Sequence, residues 1–238
     1  QPGGVAQLVV GKWSGRAQTL GSGSDLQGRW CWTLLKGKNN VQIIVITAYL
    51  PGEKSAGQAG NNTFWKQVFR SLQKLGHQTP APYDQSLSDL SSFIRRARDE
   101  NFEVLLMMDA NRPYSDRKFQ SFMDNGDLVD LFVARHGYYD FPTYQSGSKK
   151  IDGIYGSPRV QRACRRVGFL AQAFSDHQAC WADLDATILF GGDTTDLSHP
   201  RSRTLNLENP KCRRKYTEQL KEYYTTHNTP DKMKDLVD

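Results

Sequence analysis

Three apolar runs of strand length in this chain close on, or lead into, an acidic residue. They are VLLMMDAN with Asp109 and Asn111, KKIDGIY with Asp152, and FSDHQACW with Asp176 and His177. A strand of this kind buries its middle and delivers its last residue to a sheet edge, where loops gather and sites form. Three such ends can bring carboxylates, an amide and an imidazole into one pocket. That grouping suits metal-assisted attack of water on a phosphate ester.

The remaining periodicities set the frame around those ends. Residues 5–10 and 29–35 read as strands joined through the Gly/Ser-rich turn GSGSD, and 41–49 (VQIIVITAY) is a β-branched strand stopped by Pro51 and Gly52. Four-residue spacing of Phe64, Val68 and Leu72 predicts a helix over 63–75, and Leu87, Leu90, Ile94 and Ala97 predict another over 86–100. A short buried strand at 104–109 follows, then a mostly helical stretch over 116–136 with Phe119, Phe122 and Met123 clustered. Short strands are expected at 143–144, 151–155, 167–170 and 179–184. Consecutive strands with inserted helices lack the strict alternation of a doubly wound sheet. The expected class is therefore α/β, with two mixed, largely antiparallel sheets packed face to face and helices outside.

Beyond residue 189 the composition turns polar and turn-rich, so the domain is expected to span 1–189, with 190–238 a linker and a basic amphipathic helical tail. Asn209 and Pro210 suit an N-cap and first helical position, and Tyr216, Leu220, Tyr223 and Tyr224 form a stripe on the helix that follows. Residues 200–221 hold seven basic side chains and two acids.

Charge points to a polyanion. The net charge is +6, and between Lys149 and Arg166 six basic residues (Lys149, Lys150, Arg159, Arg162, Arg165, Arg166) face one acid, Asp152. Such a cluster attracts nucleic acid with strong salt dependence, and it is equally what a solvated basic face looks like. Cys31, Cys164, Cys180 and Cys212 form no CxxC pair, which implies buried or inert thiols in an intracellular setting, the nucleus included; the even number also allows two disulfides, which nothing in the spacing asks for. No apolar stretch approaches the roughly 18–20 residues that span a bilayer. The start, QPGGVAQLVVGKW, has neither the layout of a secretory signal nor an initiator Met, so a fragment or processed chain is expected.

The side chains themselves allow two readings at each motif. Asp109 can orient or deprotonate water while the Asn111 amide supports a phosphoryl oxygen; the same Asp-Ala-Asn is also a common Asx turn. Asp176 and His177, leaving a strand in opposite directions, can serve a metal and the substrate respectively, with Asp152 the partner that keeps His177 protonated. An Asp-rich, Cys-free set suits a hard cation such as Mg2+. Competing chemistries fit less well. Ser175, Asp176 and His177 are neighbours and cannot converge as a triad, and no GxSxG elbow occurs. GSDLQGR lacks the Lys-Ser/Thr ending of a phosphate loop and reads as a hairpin turn. Trp30 and Trp32, alternating with Cys31, read as core on one face.

ITAYLPG, LLMMDAN, KKIDGIYGS and FSDHQACW, in this order, resemble the endonuclease/exonuclease/phosphatase superfamily, which includes DNase I, exonuclease III-like apurinic endonucleases and the endonuclease domains of non-LTR retrotransposons. The resemblance spans roughly residues 3–184 and is nearest the retrotransposon group, in which Thr143 and Tyr144 match a Pro-Thr-aromatic stretch. It implies a four-layer α/β sandwich with two central sheets. It also implies roles: Tyr49 contacting the scissile phosphate, Asp109 aligning or activating water, Asn111 binding phosphate, Asp152 orienting His177, Asp176 at a Mg2+ (or Mn2+) site, and His177 stabilising the transition state. The implied partner is DNA, duplex in form, with a reverse transcriptase domain downstream.

Two departures qualify this. The family begins with strands carrying an Asn and a metal-binding Glu, whereas here no Glu precedes Glu53. Those N-terminal strands are expected to be missing, and activity in this chain impaired. Met108 and Gly52 also replace the usual Gly and the frequent Asn. The alternatives are a phosphatase acting on a small phosphorylated molecule or lipid, and a non-catalytic nucleic-acid-binding remnant of the fold.

Overall fold

The computed structural model describes residues 4–52, 60–137, 141–170, 175–192 and 208–226. The chain divides into two compact units, Gln1–Leu197 and Ser198–Asp238.

The first unit is built on a six-stranded sheet in the order β1-β2-β3-β4-β6-β5. The strands are β1 (Ala17–Ser24), β2 (Trp30–Lys36), β3 (Gln42–Tyr49), β4 (Glu103–Asp109), β5 (Val129–Asp130) and β6 (Asp152–Gly156). β3 and β4 run parallel; every other pairing in this sheet is antiparallel. A parallel pair needs a long crossover, and here it carries α1 (Phe64–Lys74) and α2 (Pro82–Asp99). α3 (Arg117–Asn125), α4 (Leu131–His136) and α5 (Pro158–Ala163) lie between later strands. A second, two-stranded sheet pairs β7 (Cys164–Leu170) with β8 (Ala179–Leu184), and α6 (Ala186–Phe190) follows.

Strand alternation sorts the core into two layers. Ile44, Ile46 and Ala48 of β3, with Val104, Leu106 and Met108 of β4, face Leu87, Leu90 and Ile94 of α2 and Phe119, Phe122 and Met123 of α3. The intervening residues, Ile43, Leu105 and Ile154 among them, face the other way, onto Val167 of β7 and Leu131, Phe132, Val160 and Phe190. Both central strands are thus buried on both sides, which explains their nearly continuous apolar sequence. This is a mixed α/β architecture with two packed sheets, as the strand order implied.

Several expected elements differ in detail. Residues 5–10 form no strand. Instead the Gln7 amide anchors that segment across the large sheet, donating to the Val45 carbonyl (3.0 Å) and Thr47 Oγ1 (3.1 Å) and accepting from Thr33 Oγ1 (2.9 Å). The first edge strand is β1, whose GSGS sequence carries no apolar period. Gly23 is required there because a Cβ would meet the Trp32 ring at 2.9 Å. The GSDLQGR turn closes the β1–β2 hairpin, as expected, and Trp30 and Trp32 both pack on Phe93. The 116–136 stretch is mostly helical, as expected, but in two pieces, α3 and α4: between them Val129–Asp130 pairs with β6, and Asp130 then caps α4 by accepting from the Phe132 and Val133 amides. α2 begins a turn earlier than its apolar spacing showed, with Pro82 at its start. All four cysteines are free thiols.

In the second unit, α7 (Pro210–Thr226) is capped by Asn209, whose side-chain oxygen accepts from Lys211 N at 3.0 Å. None of its residues is buried. Of the linker and helical tail expected over 190–238, residues 193–207 and 227–238 lie outside the described residues. No helix among the described residues is long and apolar enough to cross a membrane.

Candidate active site

Two of the three acidic runs bring their carboxylates together, and the third brings its imidazole. In the β3–β4 register Tyr49 is opposite Asp109, and in the β4–β6 register Asp109 is opposite Asp152. One row of the sheet therefore carries Tyr49, Asp109 and Asp152 side by side at its edge. His177 reaches the row from the segment leading into β8, its Nδ1 lying 2.9 Å from Asp152 Oδ2. Ligand atoms of Asp109, Asp152 and His177 all fall within 4.8 Å of one another.

Local sequence explains how each is held. Asp109 ends β4, and its Oδ1 accepts the Asn111 amide at 2.9 Å, so the Asx turn does occur. It shapes the site instead of competing with it. Asn111 adopts a left-handed backbone (φ 48°), which Asn tolerates better than most residues. Its side chain donates to the Leu50 carbonyl at 2.7 Å, and its proximity opposes the rise of the Tyr49 phenol. Tyr49 also packs its ring 5.2 Å from Phe64 of α1. Gly153, beside Asp152, lets the Tyr155 phenol pass underneath, where a Cβ would collide with it.

Electrostatics mark the row as strained. Burial, and then the neighbouring Asp152 carboxylate, push Asp109 up to about 6, with the Asn111 amide and His177 opposing. For His177 burial favours the neutral ring, but the hydrogen bond and charge of Asp152, helped by Asp109 and Asp176, win and raise its pKa. Burial, then Asp109, raises the Tyr49 phenol. A group whose environments drive its members' protonation apart is characteristic of acid–base sites.

The carboxylates open onto a cleft of about 370 Å³ lined also by Val5, Met107, Ile154, Gln178 and Cys180. These lining residues were not singled out in the sequence, although alternation places Met107 and Ile154 two positions from Asp109 and Asp152. Burial, then Asp152, pushes the Cys180 thiol to about 12. Asp176 is exposed beside His177, and its backbone carbonyl accepts the Gln145 amide at 2.7 Å. Its side chain is not in the Asp109–Asp152–His177 group.

The basic cluster changes character. Lys150 is buried against Asp130. Arg165 pairs with Asp185 at 2.6 Å, Arg166 with Asp183 at 2.8 Å, and Arg159 approaches Glu103 at 3.8 Å. Four of the six cations thus have acidic partners distant in sequence, which a linear count cannot reveal.

No protein-family model and no curated protein sequence matches the chain. Among solved structures it is similar to a 3'-5' exonuclease from Neisseria meningitidis (18% identity, 71% of this chain and 72% of that one, TM-score 0.49). It is also similar to a 3' phosphatase from Neisseria bound to product DNA hairpin (19%, 71% and 71%, 0.47). A third is an AP endonuclease from Leishmania major (14%, 65% and 54%, 0.45). At values this low the chemistry has to come from this chain's own side chains.

Proposed function

We propose that this chain is a metal-dependent phosphodiesterase acting on DNA, an endonuclease of the retrotransposon type. The observation that carries the hydrolytic reading is the convergence of Asp109, Asp152 and His177 within 4.8 Å, with His177 held by Asp152. The endonuclease type rests on the four sequence motifs.

A divalent cation fits the donors present. Asp109 is raised by burial and by Asp152, and a cation beside the pair relieves that repulsion. Carboxylate oxygens suit Mg2+ or Mn2+. When bound, such an ion neutralises charge on a phosphoryl group. Asp109 and Asp152 are the residues that would hold it from the strand row, and Asp176, exposed beside His177, keeps the metal role its motif implies.

The chain's own groups divide the remaining work. Asp109 accepts a proton from, or aligns, the attacking water. His177, kept protonated by Asp152, donates a hydrogen bond through its other nitrogen to the phosphoryl oxygen that gains charge. Tyr49 and Asn111 contact the phosphate from the far side of Asp109.

Plasmid nicking with Mg2+ or Mn2+ tests this. Asp109→Ala and His177→Ala should each lower the rate at least ~100-fold, the scale of lost acid–base assistance. Nicking at the parent rate in both variants would refute the assignment. The pairing of most of the basic cluster favours a second reading, a phosphatase for small phosphorylated molecules. Weak, salt-insensitive DNA binding with rapid turnover of a small phosphomonoester would select it.

A further inference from the structure

The mechanism above leaves unexplained why a threonine with no exposed surface sits between the two halves of the acid–base pair. Thr143 is 0% exposed. Its Oγ1 accepts the backbone amides of Ile151 and Asp152, each at 3.0 Å. Its carbonyl accepts the Gln178 amide at 2.8 Å. Next to it, Tyr144 forms a β-bridge with His177, and the two rings lie 5.0 Å apart. Gln145 donates to the Asp176 carbonyl.

Asp152 and His177 are twenty-five positions apart; Asp152 opens β6, whereas His177 lies outside both sheets, so no strand register aligns them. The short segment 143–145 contacts both. Through the Thr143 hydroxyl it fixes the backbone of Asp152 at the first residue of β6. Through the Thr143 carbonyl and the Tyr144 bridge it fixes the backbone on either side of the His177 side chain. We infer that Thr143 is a positioning residue that sets the Asp152–His177 hydrogen bond, holding the carboxylate at the start of β6 in line with the imidazole of the segment that leads into β8. A serine hydroxyl could replace it. Valine, of the same shape, leaves two part-buried amides without an acceptor, and β6 must shift to satisfy them.

The test uses the full chain labelled with 15N-histidine. A proton donated from His177 Nδ1 to a carboxylate gives a downfield NMR signal, assigned by its loss in His177→Gln. The signal should persist in Thr143→Ser and vanish in Thr143→Val and Thr143→Ala, while the amide spectra of all variants stay dispersed. A merely structural threonine would not move that proton in a folded variant. Persistence of the signal in the valine and alanine variants, or its loss in the serine variant, overturns the inference. Unfolding of both the valine and alanine variants also overturns it, since the residue then serves the whole fold.

A second arm rests on the proposed function. With bis(p-nitrophenyl) phosphate and Mn2+, kcat should fall ~10–100-fold in Thr143→Val with KM unchanged, the usual effect of losing an outer hydrogen-bond support at a metal site. Absence of turnover in the parent chain counts against the proposed function, while the proton signals still decide the role of Thr143.

Discussion

Replacing Asp109 by Asn should abolish activity and make the protein more stable at neutral pH. The side chain keeps its size, and its oxygen can still accept the Asn111 amide that now lies 2.9 Å away. What disappears is a buried charge beside Asp152. In the folded protein Asp109 stands at about 6 against an ordinary 3.8, so the folded state holds this proton more tightly than the unfolded chain. Below about pH 4 both states are protonated and the group costs nothing. As pH rises through about 4–6 the unfolded chain releases the proton first, and stability falls. Above about pH 6 the cost is complete. At ~1.36 kcal/mol per pH unit it amounts to about 3 kcal/mol at most, because partial solvation screens it. Urea denaturation of both proteins at pH 4 and pH 7.5 measures this. Asp109→Asn should match the parent at pH 4 and exceed it by up to about 3 kcal/mol at pH 7.5, and Mg2+ should stabilise the parent more than the variant. An equal or lower stability at pH 7.5, or a gain that is the same at both pH values, would refute the idea that the site stores electrostatic strain.

Other outcomes follow from the same structure. Arg29 is buried, with Asp25 at 2.8 Å and Asp89 at 2.7 Å, and its carbonyl accepts the Tyr49 amide. Arg29→Met should therefore cost ~3–5 kcal/mol in urea denaturation by stranding Asp25. A loss under about 1 kcal/mol would mean the network is solvated. Cys180, pushed to about 12 by burial and Asp152, should resist iodoacetamide at pH 8 in the folded chain, whereas exposed Cys212 reacts. Mass spectrometry giving equal labelling of the two would contradict the burial. Gly153→Ala should lower both stability and activity, because its Cβ would strike the Tyr155 phenol; unchanged urea midpoints would refute that steric account.

Where burial and local periodicity decide the outcome, the residues announced it. The β-branched run of β3, the stripe Phe64, Val68 and Leu72 of α1, and the apolar closure of β4 on Asp109 each signal their element without knowledge of the rest. The failures are equally specific. β1 has no apolar alternation because its GSGS residues make way for the Trp32 ring, a partner across the hairpin. Residues 5–10 alternate like a strand, yet a Gln side chain, not a backbone ladder, ties them to the sheet. The basic cluster from Lys149 to Arg166 looked like one surface, but its partners Asp130, Asp183 and Asp185 come from other elements.

By itself the sequence determined the inventory: which carboxylates, which imidazole and which amide stand at strand ends, and in what order. Tertiary structure alone puts Tyr49, Asp109 and Asp152 in one register row, and brings Thr143 to the amide of Asp152 while its neighbour Tyr144 bridges His177. The physical reason is range. Burial and turn chemistry act within a few residues and leave a local trace, whereas hydrogen-bond register and charge coupling act over a few ångströms between segments the chain keeps dozens of residues apart.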